Sequence, residues 1–448
     1  MTAAVALSVV AGTVAFSVPA SAGRTTTHSA SDAGLPSVAD QMRYRTELGL
    51  PASEEVVTDL NARWAAGDLP DATAEGSVFT AGEQTELNAR EDAAHDIAGV
   101  ARSYFTGSLA SAFGGIYIDH TSGKTVVLLT GDLAANLAAL RVRVARPDRL
   151  TGRSARFSLA DLQSTGDRVM TKGAGFGVTG TSVDERANVL DVSLARDTAA
   201  TRAGVLALVR PGDPAMVRFS EAAGPTTLGV GGLNAPPVKG GQGINVYGTN
   251  GSAASCTSAF VAYLRTRTDI GVYTYTYYAL SAGHCDLTAN AAYTQADLYV
   301  YGQSDRRAYT SGGSADGVRI PLQIQTDKSQ LVAITATNDR LIYARQAANA
   351  DVVGERTCMS GAVSGGEKCG TIMTRTFQAT NNQGIVLTNM RIATFDAIPG
   401  DSGGSVLNDS QAKGIVSCRT TYSGASRMCY THIQYDLQGL GVTDVYGV

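Results

Sequence analysis

Pro399-Gly400-Asp401-Ser402-Gly403-Gly404-Ser405-Val406 is the stretch whose reading decides the fold. Three glycines surround one serine, and glycine allows backbone conformations and close approaches closed to other residues. The residues after this turn are not helical. Ser405-Val406-Leu407 and Gly414-Ile415-Val416-Ser417 are short apolar runs that read as strands. A serine in a glycine-rich turn between strands belongs to an all-β setting.

That character holds from Val238 to the end. Tyr, Thr, Ser and Val dominate, glycine-rich turns recur, and Gly271-Val272-Tyr273-Thr274-Tyr275-Thr276-Tyr277 alternates with period two. The reading is an all-β domain over 238–448, a sandwich or barrel. Before it, 224–237 is rich in Gly, Pro and Thr, the composition of a linker open to proteolytic nicking. Further upstream the chain is α+β. Val38–Tyr44 and Glu86–Arg90 are rich in helix formers. Beyond them the chain repeats itself. Gly115–Asp119, a turn, Thr125–Leu129 and Asp132 form one unit; Gly180–Asp184, a turn, Val189–Leu194 and Asp197 form another, 65 residues on. Each unit reads as a β-hairpin followed by an alanine-rich helix, Leu133–Leu140 or Thr198–Leu208, giving α+β units at 113–145 and 178–210.

Residues 1–22 carry an apolar run, Ala3 to Val18, ending in Ala20-Ser21-Ala22, the pattern of a secretory signal peptide. The run is shorter than the roughly 20 apolar residues a membrane span needs, so the expectation is export, with no membrane association afterwards. The chain has 448 residues, 44% hydrophobic and 17% charged, enough for two or three packed domains. Net charge is −4. After residue 237 there are 16 Lys+Arg against 15 Asp+Glu, so the acidity lies upstream, and neither half has the basic stripe of a nucleic-acid binder. All six cysteines fall in the second half, and in an exported chain an even count implies disulfides. Pairing of neighbours gives Cys256–Cys285, Cys358–Cys369 and Cys418–Cys429. No C-x-x-C pair or histidine at ligand spacing supports zinc, so no metal or cofactor is expected.

A serine hydroxyl becomes a nucleophile when a base takes its proton, and that base needs a carboxylate to set its tautomer. The β half holds two histidines. His284, in Leu280-Ser281-Ala282-Gly283-His284-Cys285, stands where a strand ends and beside a cysteine that would pin its backbone; His432, on a strand after Cys429, reads as structural. Among the aspartates between His284 and Ser402, Asp316 opens a short apolar strand after a glycine-rich turn, a place to bury and aim a carboxylate. Gly400-x-Ser402-x-Gly404 also fits the nucleophile elbow of α/β-hydrolases. That elbow needs a helix after the serine and the order Ser, acid, His, and both conditions fail here.

Leu280–Cys285 and Pro399–Gly404 resemble the two signature blocks of chymotrypsin-like serine proteases. Cys256-Thr257-Ser258-Ala259-Phe260, Cys358-Met359-Ser360-Gly361 running to Cys369-Gly370-Thr371-Ile372, and Asp316-Gly317-Val318-Arg319-Ile320 resemble the secreted bacterial branch, the streptogrisin and α-lytic protease group. The hairpin–helix repeat is similar to that group's pro-region. The resemblance implies two six-stranded antiparallel β-barrels over 238–448 after a pro-region over 23–237. It implies a secreted, extracellular, monomeric serine endopeptidase made as a zymogen and acting on polypeptides, with the pro-region as its folding catalyst and inhibitor. His284, Asp316 and Ser402 would be catalytic, the amides of Gly400 and Ser402 would form the oxyanion hole, and maturation would fall near Pro237–Val238.

The sequence departs from the group in three places. Asp396 stands where a cysteine commonly pairs downstream, and the third disulfide falls wholly after the serine. The arginine that partners the aspartate before the serine is Met359 here, which leaves Arg356 or a new N-terminal ammonium to neutralise Asp401. Asp396, six residues before Ser402, resembles the trypsin pattern and points to Arg or Lys at P1, with Ser417 in the pocket wall; the alternative is that Arg419 neutralises Asp396. The competing whole-protein reading is a catalytically silent relative that binds peptides or proteins.

Overall fold

The structure is a computed structural model, and it describes residues 35–448 except 71, 210–212, 223–236, 296–298 and 336–337. The signal-peptide expectation for 1–22 and nearly all of the linker lie outside the described residues. The chain opens with helices Val38–Glu47, Glu54–Ala65 and Ala81–Tyr104. Each begins where a hydroxyl can satisfy an unpaired amide: Ser37 caps the first, Ser53 the second, and Thr80 forms a reciprocal capping box with Glu83 in the third.

The sequence repeat is a structural repeat, with one strand more per unit than its pattern suggests. Phe113–Asp119 and Lys124–Leu129 form the first hairpin, helix Leu133–Arg141 crosses over, and Leu150–Ser154 returns parallel to Lys124–Leu129. The second unit repeats this with Val178–Asp184, Val189–Leu194, helix Ala199–Leu206 and Val217–Glu221, again parallel. The returning strands escape the pattern because Leu-Thr-Gly-Arg-Ser and Val-Arg-Phe-Ser-Glu are short, polar sheet edges. Ile116, Val127, Leu162, Val192 and Val205 meet in the core of this α+β region.

Among the described residues, the second half is built from strands, apart from short 3₁₀ turns and one helix, Ile433–Leu440. Its first part holds a four-stranded sheet (Ala253–Thr257, Gly243–Tyr247, Ala292–Gln295, Tyr299–Gln303). It also holds a five-stranded one (Arg306–Ala308, Gly317–Pro321, Tyr273–Ser281, Val261–Arg267, Asp444–Val445). Val246, Leu280, Tyr293, Val318 and Ile320 fill one core from both sheets. Its second part is a closed ring of six antiparallel strands. In order around the ring these are Arg356–Gly361, Ser405–Asn408, Gln411–Tyr422, Ala425–His432, Val386–Ala393 and Gly366–Thr380, the last pairing back to the first. Closure leaves no free edge within the ring.

The two halves of the chain form one continuous structure. Gln378 and Ala379 on the long ring strand pair with Thr181 and Gly180, which extends the ring's sheet into the α+β region. Tyr44, Leu48, Phe79 and Leu87 from the N-terminal helices share a core with residues of the first β part. Between these apolar contacts lie buried ion pairs. Glu91 takes the Arg356 guanidinium at 2.9 Å, and Arg340 sits between Glu75 at 3.1 Å and Glu367 at 2.7 Å.

Candidate active site

His284 lies in a single 3₁₀ turn, Gly283–Cys285, at the end of strand Tyr273–Ser281, and Cys285 is bonded to Cys256. That strand pairs with Gly317–Pro321 in a register that sets Ser281 opposite Val318. Residues just past the end of the first strand therefore meet those just before the second, which is where Asp316 stands. The third residue comes from the ring. Ser402 lies in the loop between Val386–Ala393 and Ser405–Asn408, and Thr257 anchors that loop from the first part. Its hydroxyl donates to the Gly400 carbonyl at 2.6 Å, and its N–H donates to the Ser402 carbonyl at 2.7 Å. Two glycines make the loop possible. Gly400 has φ +103° and Gly403 φ +85°, and a Cβ on Gly403 would sit 2.2 Å from both the Ser281 hydroxyl and the Thr257 carbonyl.

The three side chains form one hydrogen-bonded line. His284 Nε2 is 2.8 Å from Ser402 Oγ and His284 Nδ1 is 2.7 Å from Asp316 Oδ2. The other Asp316 oxygen accepts the His284 backbone N–H at 2.8 Å, and Ser417 Oγ donates to Oδ2 at 2.6 Å. Burial alone would raise the Asp316 carboxyl. The His284 charge and the hydrogen bonds from His284 and Ser417 outweigh it and hold the group below the ordinary aspartate value. A carboxylate on Nδ1 keeps the proton on that nitrogen, so Nε2 presents a lone pair to the serine hydroxyl. The arrangement can take a proton from Ser402 as its oxygen attacks an electrophile. His432 lies apart: buried, it caps helix Ile433–Leu440, and burial pushes its imidazole down to about 3.

The flanking residues differ from expectation in two ways. Asp401 is not neutralised by Arg356, whose guanidinium is held by Glu91 and Asn88. Asp401 instead accepts the amides of Val363, Ser364 and Ile398 and the Ser364 hydroxyl, a cradle of neutral donors. Ser417, expected in a substrate pocket, commits its hydroxyl to Asp316. Asp396 meets Arg419 at 2.9 Å and accepts from Ser426 at 3.0 Å, so its counter-charge is the arginine that the sequence offers as the alternative to a substrate cation. Nothing near Ser417 in sequence signals its partner, which lies 101 residues away.

The cysteines form Cys256–Cys285, Cys358–Cys369 and Cys418–Cys429. Among the described residues, the cluster with metal-ligand spacing is Cys358, Glu367 and Cys369. Its sulfurs are joined to each other and its carboxylate is paired with Arg340, so no thiolate is on offer. No helix of the described residues is long and apolar enough to cross a membrane.

No family model matches the chain. Among curated proteins it is similar to Streptogrisin-C of Streptomyces griseus, 30% identical over 154 residues, which is 32% of this chain. The match spans 33% of that relative's length. Among solved structures it is similar to Thermobifida fusca Protease A, at 23% identity and TM-score 0.37, over 46% of this chain and 98% of that one. An α-lytic protease homologue, N4, matches at 18% identity and TM-score 0.35 over the same shares. By its sequence blocks and its likeness to Streptogrisin-C, the all-β half resembles the bacterial chymotrypsin-like serine proteases of the streptogrisin and α-lytic protease group.

Proposed function

We propose that the chain is a secreted serine endopeptidase made as a zymogen. The observation that carries this reading is the buried line Ser402–His284–Asp316, with Ser417 on the carboxylate. Ser402 Oγ attacks the scissile carbonyl while His284 Nε2 takes its proton. Asp316 holds the imidazole in the required tautomer and balances its positive charge. The amides of Gly400 and Ser402 receive the developing oxyanion, each donor contributing about 3 kcal/mol. The imidazolium then gives its proton to the leaving amine, and water repeats the cycle on the acyl-enzyme.

The region before 238 acts as the pro-region. Its support is the continuous sheet through Thr181 and Gln378 and the buried Glu91–Arg356 pair, both of which tie it to the β half. Cleavage near Pro237–Val238 separates the two. Asp396 as a floor for Arg or Lys at P1 is held in check by Arg419, which already supplies its counter-charge. The test compares intact masses of secreted wild type and Ser402→Ala, with a fluorophosphonate probe on both. Wild type should appear as two fragments split near Val238 and carry the probe on Ser402, while the variant stays joined and unlabelled. Wild-type protein that neither splits nor labels, even after nicking in the linker, refutes the reading.

A further inference from the structure

One buried carboxyl beside the triad has no part in the mechanism above. Asp436 lies in helix Ile433–Leu440 with no solvent exposure. Its Oδ1 accepts the backbone N–H of Asp316 at 3.0 Å, and its Oδ2 accepts the Thr431 hydroxyl at 2.9 Å. The fit is close: a Cβ on Gly317 would stand 3.3 Å from that Oδ1 and 3.0 Å from Leu440. We propose that Asp436 is a positioning residue for the triad, holding the Asp316 main chain from the C-terminal helix so that the Asp316 carboxylate points at His284. The proposal rests on the catalytic reading of Ser402, His284 and Asp316.

Asp316 is fully buried, and its own amide sits at the mouth of a strand, two residues before the ladder to Tyr273–Ser281 begins at Val318. A buried N–H with no acceptor is costly, and the chain relieves that cost by shifting. Asp436 removes the need to shift. Both oxygens of the Asp316 side chain are already taken, by His284 and Ser417, so a main-chain displacement would move all three contacts together. Among the described residues no cation lies within ion-pair distance of Asp436, whereas Asp316 has the imidazole. Burial pushes the Asp436 carboxyl well above the ordinary aspartate value; the neighbouring Asp316 charge adds to this and the Thr431 hydrogen bond opposes it.

The test uses the full chain with ¹⁵N-labelled histidine and reads two quantities. The first is the hydrogen-bonded His284 Nδ1–H resonance, which reports the contact to Asp316 whether or not the protein turns over. The second is kcat and KM on a peptide substrate. Asp436→Ala should weaken or lose the Nδ1–H signal and lower kcat by about 10²-fold with little change in KM, the scale of a small displacement of a catalytic group. Asp436→Asn keeps a neutral side-chain oxygen for the amide and should recover at least about tenfold of that loss. If Asp436→Ala does not accumulate, Thr431→Val, which removes the hydroxyl orienting Asp436 while keeping its shape, should change both readouts in the same direction by less. A native Nδ1–H signal and kcat in Asp436→Ala, or in Thr431→Val where that is the variant measured, overturns the proposal. So does Asp436→Asn no better than Asp436→Ala. If wild type shows no turnover even after nicking in the linker, the catalytic reading fails on that result, and the Nδ1–H signal still decides Asp436.

Discussion

Glu91→Ala should detach the N-terminal region from the β half more than any other single truncation at their boundary. Glu91 is buried and accepts four hydrogen bonds: from Arg356 N at 2.8 Å, Nε at 3.0 Å and Nη2 at 2.9 Å, and from Asn408 at 3.1 Å. Burial alone would raise its carboxyl, but the Arg356 charge and hydrogen bonds outweigh it and bring the group down to about 2. The stability it contributes is therefore complete above its ordinary 4.5 and is lost as pH falls toward about 2. Without Glu91, Arg356 keeps Asn88 at 2.7 Å and a distant Glu75 at 3.7 Å, and its Nη1 has no hydrogen-bond partner. A charge stranded in this way costs about 3–5 kcal/mol. Trp64, the single tryptophan, lies on an N-terminal helix and lines a cavity whose other wall includes Ile334 and Glu367 of the β half, so its fluorescence reports detachment. In urea titrations of the uncleaved Ser402→Ala chain, Glu91→Ala should lower the Trp64 transition by that amount. Glu91→Ala/Arg356→Met removes both charges and should recover most of it, because an apolar replacement of a buried pair is often neutral. A loss under about 1 kcal/mol in Glu91→Ala, or a double variant as weak as the single one, refutes the reasoning.

The same boundary and the substrate side of the site give two further outcomes. Glu367 shares Arg340 with Glu75; burial pushes its carboxyl up to about 7, Arg340 opposes this and Glu75 adds to it. His95 is also raised from its ordinary 6.5, because Glu355 outweighs the effect of burial. Both groups bind protons more tightly in the folded chain, so the stability they contribute is present at acid pH and is lost as pH rises through their raised titrations. The Trp64 transition should therefore fall as pH rises from 4.5 to about 7, the window set by Glu367, and Glu367→Gln should flatten that fall; a midpoint independent of pH would contradict it. Arg419→Ala should unmask Asp396 and raise the preference for Arg or Lys over neutral P1 residues by about 10- to 10²-fold, the worth of one charged hydrogen bond of about 1.5–3 kcal/mol. Asp396→Ser in that background should abolish the gain, and an unchanged substrate profile in Arg419→Ala would remove Asp396 from the pocket.

What the sequence alone determined is local in origin. The glycines around Ser402 had to permit positive φ, the Tyr/Thr alternation had to be a strand, and the 65-residue repeat had to fold twice in the same way. Each of these comes from backbone sterics or a short period, physics that acts over a few residues. The candidacy of His284, Asp316 and Ser402 was legible too, because a strand end and a glycine turn are local signals. The tertiary structure alone decided which side chains meet. Ser417 reaches Asp316 across 101 residues, Asp436 reaches it across 120, and Glu91 finds Arg356 across 265. It also moved Arg356 from Asp401 to Glu91 and gave Asp396 to Arg419. A buried charge must take whatever partner the packed chain brings within about 4 Å, and that partner has no signature in the residues beside it.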